Sequence, residues 1–234
     1  MPIRIEDPFH DPTQNLNTDV NPFLSKMREG MENGSLPVLY GPRLKPLQGA
    51  WRSEFANTMA KPPEDLVLEV GSHKGEVLKK MAANHPDTGF VGVDITFKRV
   101  VTLAEKAQTL GLHNLRSLLC NGRALEQVFE ESELSGALIF FPDPWAKKKR
   151  QQKNRLINHE FLLGLKKILK PGAFLWFKTD HKPYFDQVLP IAADLFAIEP
   201  APQGIPSEIY TSRFERHFTE QGLPTYEICW RNSK

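Results

Sequence analysis

Leu66-Val67-Leu68-Glu69-Val70-Gly71-Ser72-His73-Lys74-Gly75-Glu76 is the stretch that decides the fold. A short run, apolar apart from Glu69 and ending at a glycine, reads as a buried strand. Helical spacing follows from Glu76 to Asn84, and Pro86 stops it. Two glycines between a strand and a helix let the backbone turn tightly and come close to a ligand.

Toward the C-terminus the same alternation repeats. Strands are expected at 90–94, 115–120, 137–141 and 173–178, with helices at 98–110, 124–131, 155–169 and 184–196. Lys170-Pro171-Gly172 reads as the end of the 155–169 helix, and 226–230 as a late strand. Strands alternating with helices predict an α/β fold, a mostly parallel twisted sheet with helices on both faces. In such a sheet ligands bind at the C-terminal ends of the strands. Toward the N-terminus the pattern fades. Residues 1–60 are rich in Asn, Pro and Gly and are expected to form an irregular, partly disordered arm with one or two short helices. Residues 61–234 would then form the main domain.

The chain has 234 residues, 40% hydrophobic and 25% charged, with a formal net charge of +2. That suffices for one large core. No apolar run approaches the roughly 18 residues of a membrane span, and Met1 to His10 lacks the apolar stretch of a secretory signal. Cys120 and Cys229, the only cysteines, both sit in apolar runs. They read as buried thiols suited to a reducing cytoplasm. His73, His181 and His217 lack ligand spacing, so no metal is expected.

Four strand ends carry polar residues with chemical potential. Glu69 precedes the glycine turn and could hold the amino end of a methionine moiety. Asp94 ends the next strand, where a carboxylate accepts hydrogen bonds from ribose hydroxyls. Other nucleotide-binding folds fit these features too, but the turn lacks G-x-G-x-x-G, with His73 where a middle glycine often falls. Asn121, before Gly122, either reads an adenine edge or serves as an ordinary turn residue. The fourth strand runs into Phe141-Pro142-Asp143-Pro144-Trp145, then into Lys147, Lys148, Lys149, Arg150, Lys153 and Arg155 with no acid among them. The prolines fix the backbone. Such a basic cluster attracts phosphates, and an aromatic at its root could stack on a base. Its alternative is a solvated charge run with Trp145 in the core.

This Phe-Pro-Asp-Pro-Trp block followed by lysines, after the Glu69 turn and before a strand ending in Thr179-Asp180, resembles the bacterial tRNA (guanine-N7-)-methyltransferase family. Ser212-Arg213-Phe214-Glu215 is similar to that family's Thr-Lys-Phe-Glu signature, and the resemblance spans roughly residues 64 to 231. It implies a Rossmann-like class I methyltransferase fold with an antiparallel late strand. It also implies S-adenosylmethionine as cofactor and tRNA as partner. By the resemblance, Glu69, Gly71, Gly75, Asp94, Asn121 and Asp143 line the cofactor site. Lys147, Asp180, Ser212, Arg213, Phe214 and Glu215 face the guanosine, and Lys148, Lys149, Arg150, Lys153 and Arg155 touch tRNA. This chain departs from the family in its less glycine-rich turn, in Asp94 for a frequent Glu, Asn121 for Asp and Ser212 for Thr. Asp180 is the expected catalytic carboxylate, with a helix N-cap as its structural alternative. A methyltransferase with a non-RNA acceptor, and a non-catalytic RNA-binding subunit, are the rival functions. Monomer and homodimer are equally open.

Overall fold

The computed structural model describes residues 7–11, 13, 21–199 and 210–233. It divides into two compact units, Met1–Glu130 and Glu131–Lys234.

The first unit holds helix α1 (Pro22–Glu32), strand β1 (Val38–Tyr40), helix α2 (Trp51–Ala56), strand β2 (Leu66–Val70) and helix α3 (Glu76–Asn84). Strand β3 (Gly89–Asp94), helix α4 (Phe97–Thr109), strand β4 (Leu115–Leu119) and helix α5 (Leu125–Val128) complete it. Its four strands are parallel, in the order β1-β4-β3-β2. Every residue of β2, β3 and β4 is buried, as expected of a parallel sheet covered on both faces. Helix α4 buries Val100, Val101, Leu103, Ala104 and Ala107, one stripe at helical spacing. Leu24 and Met27 of α1 pack on that stripe together with Val38 and Tyr40 of β1.

The short helices expected in residues 1–60 are α1 and α2; beyond that expectation, residues 21–56 also carry strand β1 and pack on the first unit. Strand β1 pairs with β4. Trp51 is fully buried, donates its Nε1 hydrogen to the Val128 carbonyl at 3.0 Å and stacks on Phe129. Arg116 of β4 reaches Glu54 of α2 at 2.9 Å and lies 4.7 Å over the Phe55 ring. Strand β1 and helix α2 are too short to show a period, so only tertiary partners reveal them. The expected disorder concerns in part residues 1–6, 12 and 14–20, which lie outside the described residues.

The second unit holds strand β5 (Leu134–Phe140), helix α6 (His159–Ile168), strand β6 (Leu169–Thr179) and helix α7 (Lys182–Ala193). Strand β7 (Phe196–Glu199), helix α8 (Arg213–Glu220) and strand β8 (Tyr226–Asn232) follow. The strand order is β5-β6-β8-β7; β5 and β6 are parallel, and β8 is antiparallel to both its neighbours. Helix α6 starts four residues later than its spacing suggests, because Asn158 caps it by accepting from the Phe161 N–H. Pro171-Gly172 does not separate helix from strand. Strand β6 begins directly at Leu169, and the pair lies within it at an irregularity in the β5–β6 register. Cys120 and Cys229 are free and buried, and burial pushes each thiol up to about 12.

Candidate active site

In the first unit the chemistry gathers where β2 and β3 end. Glu69 sits opposite Gly92 and is 5% exposed. Its Oε2 is buried without a hydrogen-bond partner among the described residues. Burial, then the neighbouring Asp94 charge, push this carboxyl up to about 8, while Lys79 pulls the other way. An unsatisfied buried carboxylate oxygen is costly unless a ligand donor completes it. After Val70 the chain turns through Gly71 at φ +79°, where the N–H groups of Gly71 and Ser72 both donate to the Val93 carbonyl. A Cβ on Gly71 would meet nothing within 4 Å, so open space lies over this backbone. The unsatisfied Glu69 oxygen and the open glycine fit the amino-acid end of S-adenosylmethionine, a donor beside a close backbone approach.

Gly75 also has a packing purpose. Its N–H is taken by the Ser72 carbonyl at 2.7 Å, and a Cβ there would lie 2.3 Å from Leu103. Its missing side chain makes room for α4, and its left-handed φ of +60° caps α3. His73 also takes a left-handed φ of +50°, one of the few side chains that tolerate that region. Burial and then the Arg99 charge lower its pKa.

Asp94 is likewise drawn inward. Its side chain is 2% exposed. Its oxygens accept from Thr96 N at 2.9 Å and His73 N at 3.2 Å, with the Arg99 guanidinium at 3.4 Å. A carboxylate has about four acceptor positions, so Asp94 braces the turn and keeps acceptor capacity beyond these contacts. Asn121 caps the short 3-10 turn Gly122–Ala124 by accepting from Arg123 N at 3.0 Å. Its carbonyl oxygen therefore takes the turn role of the two expected.

In the second unit the Phe-Pro-Asp-Pro-Trp loop follows β5. Phe141 and Trp145, at its two ends, have left-handed φ of +50° and +46°. Such backbone is held only where its surroundings over-determine it. Phe141 N donates to the Lys178 carbonyl at 2.8 Å, and the exposed Asp143 accepts from Trp145 N at 2.9 Å. Trp145 is half-buried and not a core residue.

Arg155 supplies the remaining support, and its expected contact with RNA is corrected. It is 3% exposed. Its Nε donates to the Pro144 carbonyl at 2.8 Å, Nη1 pairs with Gln187, and the guanidinium lies 4.6 Å over the Tyr184 ring. The late start of α6 leaves Arg155 in the chain behind the loop rather than on a helix surface. Lys147, Lys148, Arg150 and Lys153 are exposed, as a phosphate-binding group must be. Lys149 opens the 3-10 turn Lys149–Asn154, which also carries Arg150 and Lys153.

Asp180 lies just past β6, half-exposed. It is not the cap of α7: His181 is, its Nδ1 accepting from Tyr184 N at 3.0 Å. Among the described residues no hydrogen bond or ion pair engages the Asp180 carboxylate. In Ser212–Glu215 the labour is divided. Ser212 and Glu215 close a capping box on α8, and Glu215 also meets the buried Lys178 at 2.9 Å. Arg213 and Phe214 are exposed, with the Phe214 ring 6.3 Å from that of Phe141. Lys178 is a functional candidate that the sequence reading passes over, although a lone lysine inside Leu175-Trp176-Phe177-Lys178 is itself a signal: a buried ammonium demands carboxylates. Among the described residues no cluster of three or more His, Cys, Asp or Glu is placed to hold a metal ion, and no helix is long and apolar enough to cross a membrane.

Comparisons with known proteins give the family. The family model Methyltransf_4, described as a methyltransferase, matches residues 63–228. The tRNA (guanine-N(7)-)-methyltransferase of Lacticaseibacillus casei is 33% identical over 192 residues, covering 80% of this chain and 87% of that protein. The one from Leptospira interrogans is 38% identical over 176 residues, covering 74% and 81%. Among solved structures, the 16S rRNA methyltransferase KamB superposes with a TM-score of 0.58 at 17% identity, covering 78% of this chain and 94% of that one. That likeness bears on the fold alone, which is the Rossmann-like class I methyltransferase fold. The glycine turn, the rigid proline loop and the similarity over most of both chains place this protein in the tRNA (guanine-N(7)-)-methyltransferase family.

Proposed function

We propose that this chain transfers a methyl group from S-adenosylmethionine to N7 of a guanine in tRNA, in the cytoplasm. Within its family, the observation that carries the reading is the Asp180 carboxylate, half-exposed past β6 and engaged by no other described residue. When bound, S-adenosylmethionine supplies an electrophilic methyl carbon on a sulfonium that takes back the bonding electron pair. Guanine N7 carries a free lone pair, so no residue need act as a base. Asp180 accepts hydrogen bonds from the N1–H and N2–H of guanine and stabilises the positive charge that the ring acquires. The Glu69 carboxyl and the open backbone at Gly71 hold the amino-acid end of the cofactor. Holding the reactants in line accounts for most of the acceleration; positioning alone can lower a barrier by up to ~7–11 kcal/mol. Lys147, Lys148, Arg150 and Lys153 neutralise phosphates, and Arg213 with Phe214 meets the acceptor nucleoside.

Replacing Asp180 by Ala tests this reading. Cofactor affinity should be unchanged while methyl transfer to tRNA falls by at least ~100-fold, the scale of losing one electrostatic stabiliser of a transition state. Transfer at the wild-type rate would remove Asp180 from the chemistry.

A further inference from the structure

We infer that Lys178 is a positioning residue for the acceptor nucleoside, fixing the start of α8 and with it Arg213 and Phe214. The inference rests on the function proposed above. Lys178 is 1% exposed, and its Nζ lies 2.9 Å from Glu215 Oε1 and 3.1 Å from Glu227 Oε2. The rings of Trp176 and Phe140 stand 4.6 and 5.4 Å from the ammonium. One ammonium between two carboxylates and two aromatic faces is fully provided for.

What makes the arrangement functional is the weakness of α8. It is eight residues long and buries none of them. Isolated helices shorter than about 12–15 residues do not hold together in water. Besides the Phe218 and Phe214 rings set 5.9 and 6.3 Å from Phe141, α8 is anchored at its first turn. Glu215 holds it with both oxygens: Oε2 accepts from Ser212 N in the capping box and Oε1 meets Lys178. The same lysine receives Phe141 N on its backbone carbonyl, at the head of the Phe141–Trp145 loop. Lys178 thus joins the start of α8 to the head of the Phe141–Trp145 loop, two residues before Asp180.

The test compares Lys178→Met, which keeps length and bulk but removes the charge, with Glu215→Gln, which keeps the capping geometry and leaves Lys178 paired to Glu227. Full-length proteins are assayed for kcat and KM with unmodified tRNA, for S-adenosylmethionine affinity, and for amide hydrogen exchange at residues 213–220 without RNA. Removing a charge-assisted hydrogen bond should raise KM for tRNA by about ten-fold or more in each single variant. Cofactor affinity should stay within about two-fold, and the double variant should be no worse than the weaker single one. Exchange in α8 should quicken in both. If Lys178→Met does not fold, Glu215→Gln must still show the raised KM and the faster exchange. Unchanged KM together with unchanged exchange overturns the inference. A wild-type protein that methylates no tRNA defeats the proposed function instead, and the exchange readout still decides whether Lys178 holds α8.

Discussion

Replacing Arg155 by alanine separates two accounts of the basic segment, because a buried guanidinium and an exposed one fail in opposite ways. Arg155 is 3% exposed, donates to the Pro144 carbonyl at 2.8 Å, pairs with Gln187 and lies 4.6 Å over Tyr184. Hydrogen bonds from a charged group contribute ~1.5–3 kcal/mol each, and a desolvated cation–π interaction adds up to ~2 kcal/mol. Against this stands the desolvation of the guanidinium, which costs several kcal/mol. The net destabilisation should be about 3 kcal/mol, roughly 6–12 °C in Tm for a chain of this size. Arg155→Lys should rescue little, since an ammonium cannot reproduce the planar fork. The companion assay is tRNA affinity against salt. Removing one phosphate-neutralising charge lowers the slope of log K against log salt by about 0.7–0.9. Lys148→Ala and Arg150→Ala should lower it, and Arg155→Ala should leave it unchanged. An Arg155→Ala protein with wild-type stability and a reduced salt slope would refute the assignment.

Two further predictions concern the first unit. Glu69 has a folded pKa of about 8 against an ordinary 4.5, so the folded state holds the proton more tightly. Its contribution to stability therefore falls as pH rises from about 4.5 to about 8 and changes no further above that. Glu69→Gln should flatten the pH dependence of unfolding across that window, and titration calorimetry in two buffers should show a proton released when S-adenosylmethionine binds the wild type at pH 7. Parallel pH profiles of the two proteins would contradict this. At the turn, Gly71→Ala meets only left-handed strain of about 1–2 kcal/mol and should mainly weaken cofactor binding. Gly75→Ala drives a methyl to 2.3 Å from Leu103 and should mainly lower Tm. The reverse pattern would mean the two glycines have been assigned each other's parts.

The parts of this protein legible in its sequence are those governed by local pattern. β2 and α3 have the expected ends, Leu66–Val70 and Glu76–Asn84, because an apolar run stops at a glycine and a helical period stops before a proline. Strand β1 escapes such a reading because three residues carry no period and its partner is β4, some 80 residues on. The same distance hides the fate of charges. Arg155 continues a run of exposed bases in sequence but is buried by Pro144, Tyr184 and Gln187. Lys178 finds its carboxylates 37 and 49 positions later. The family likeness points to Asp94 and Gly75 as cofactor residues; what the sequence does not show is their local surroundings, since Asp94 also accepts from His73 N and Thr96 N and Gly75 also makes room for Leu103.

The central claim is the identity of the methylated atom. Purified protein incubated with unmodified tRNA and radiolabelled S-adenosylmethionine, followed by complete digestion and separation of nucleosides, reads it directly. The account predicts label in 7-methylguanosine with the wild type and almost none with Asp180→Ala. Label in any other nucleoside, or none in RNA while the cofactor binds, would contradict it.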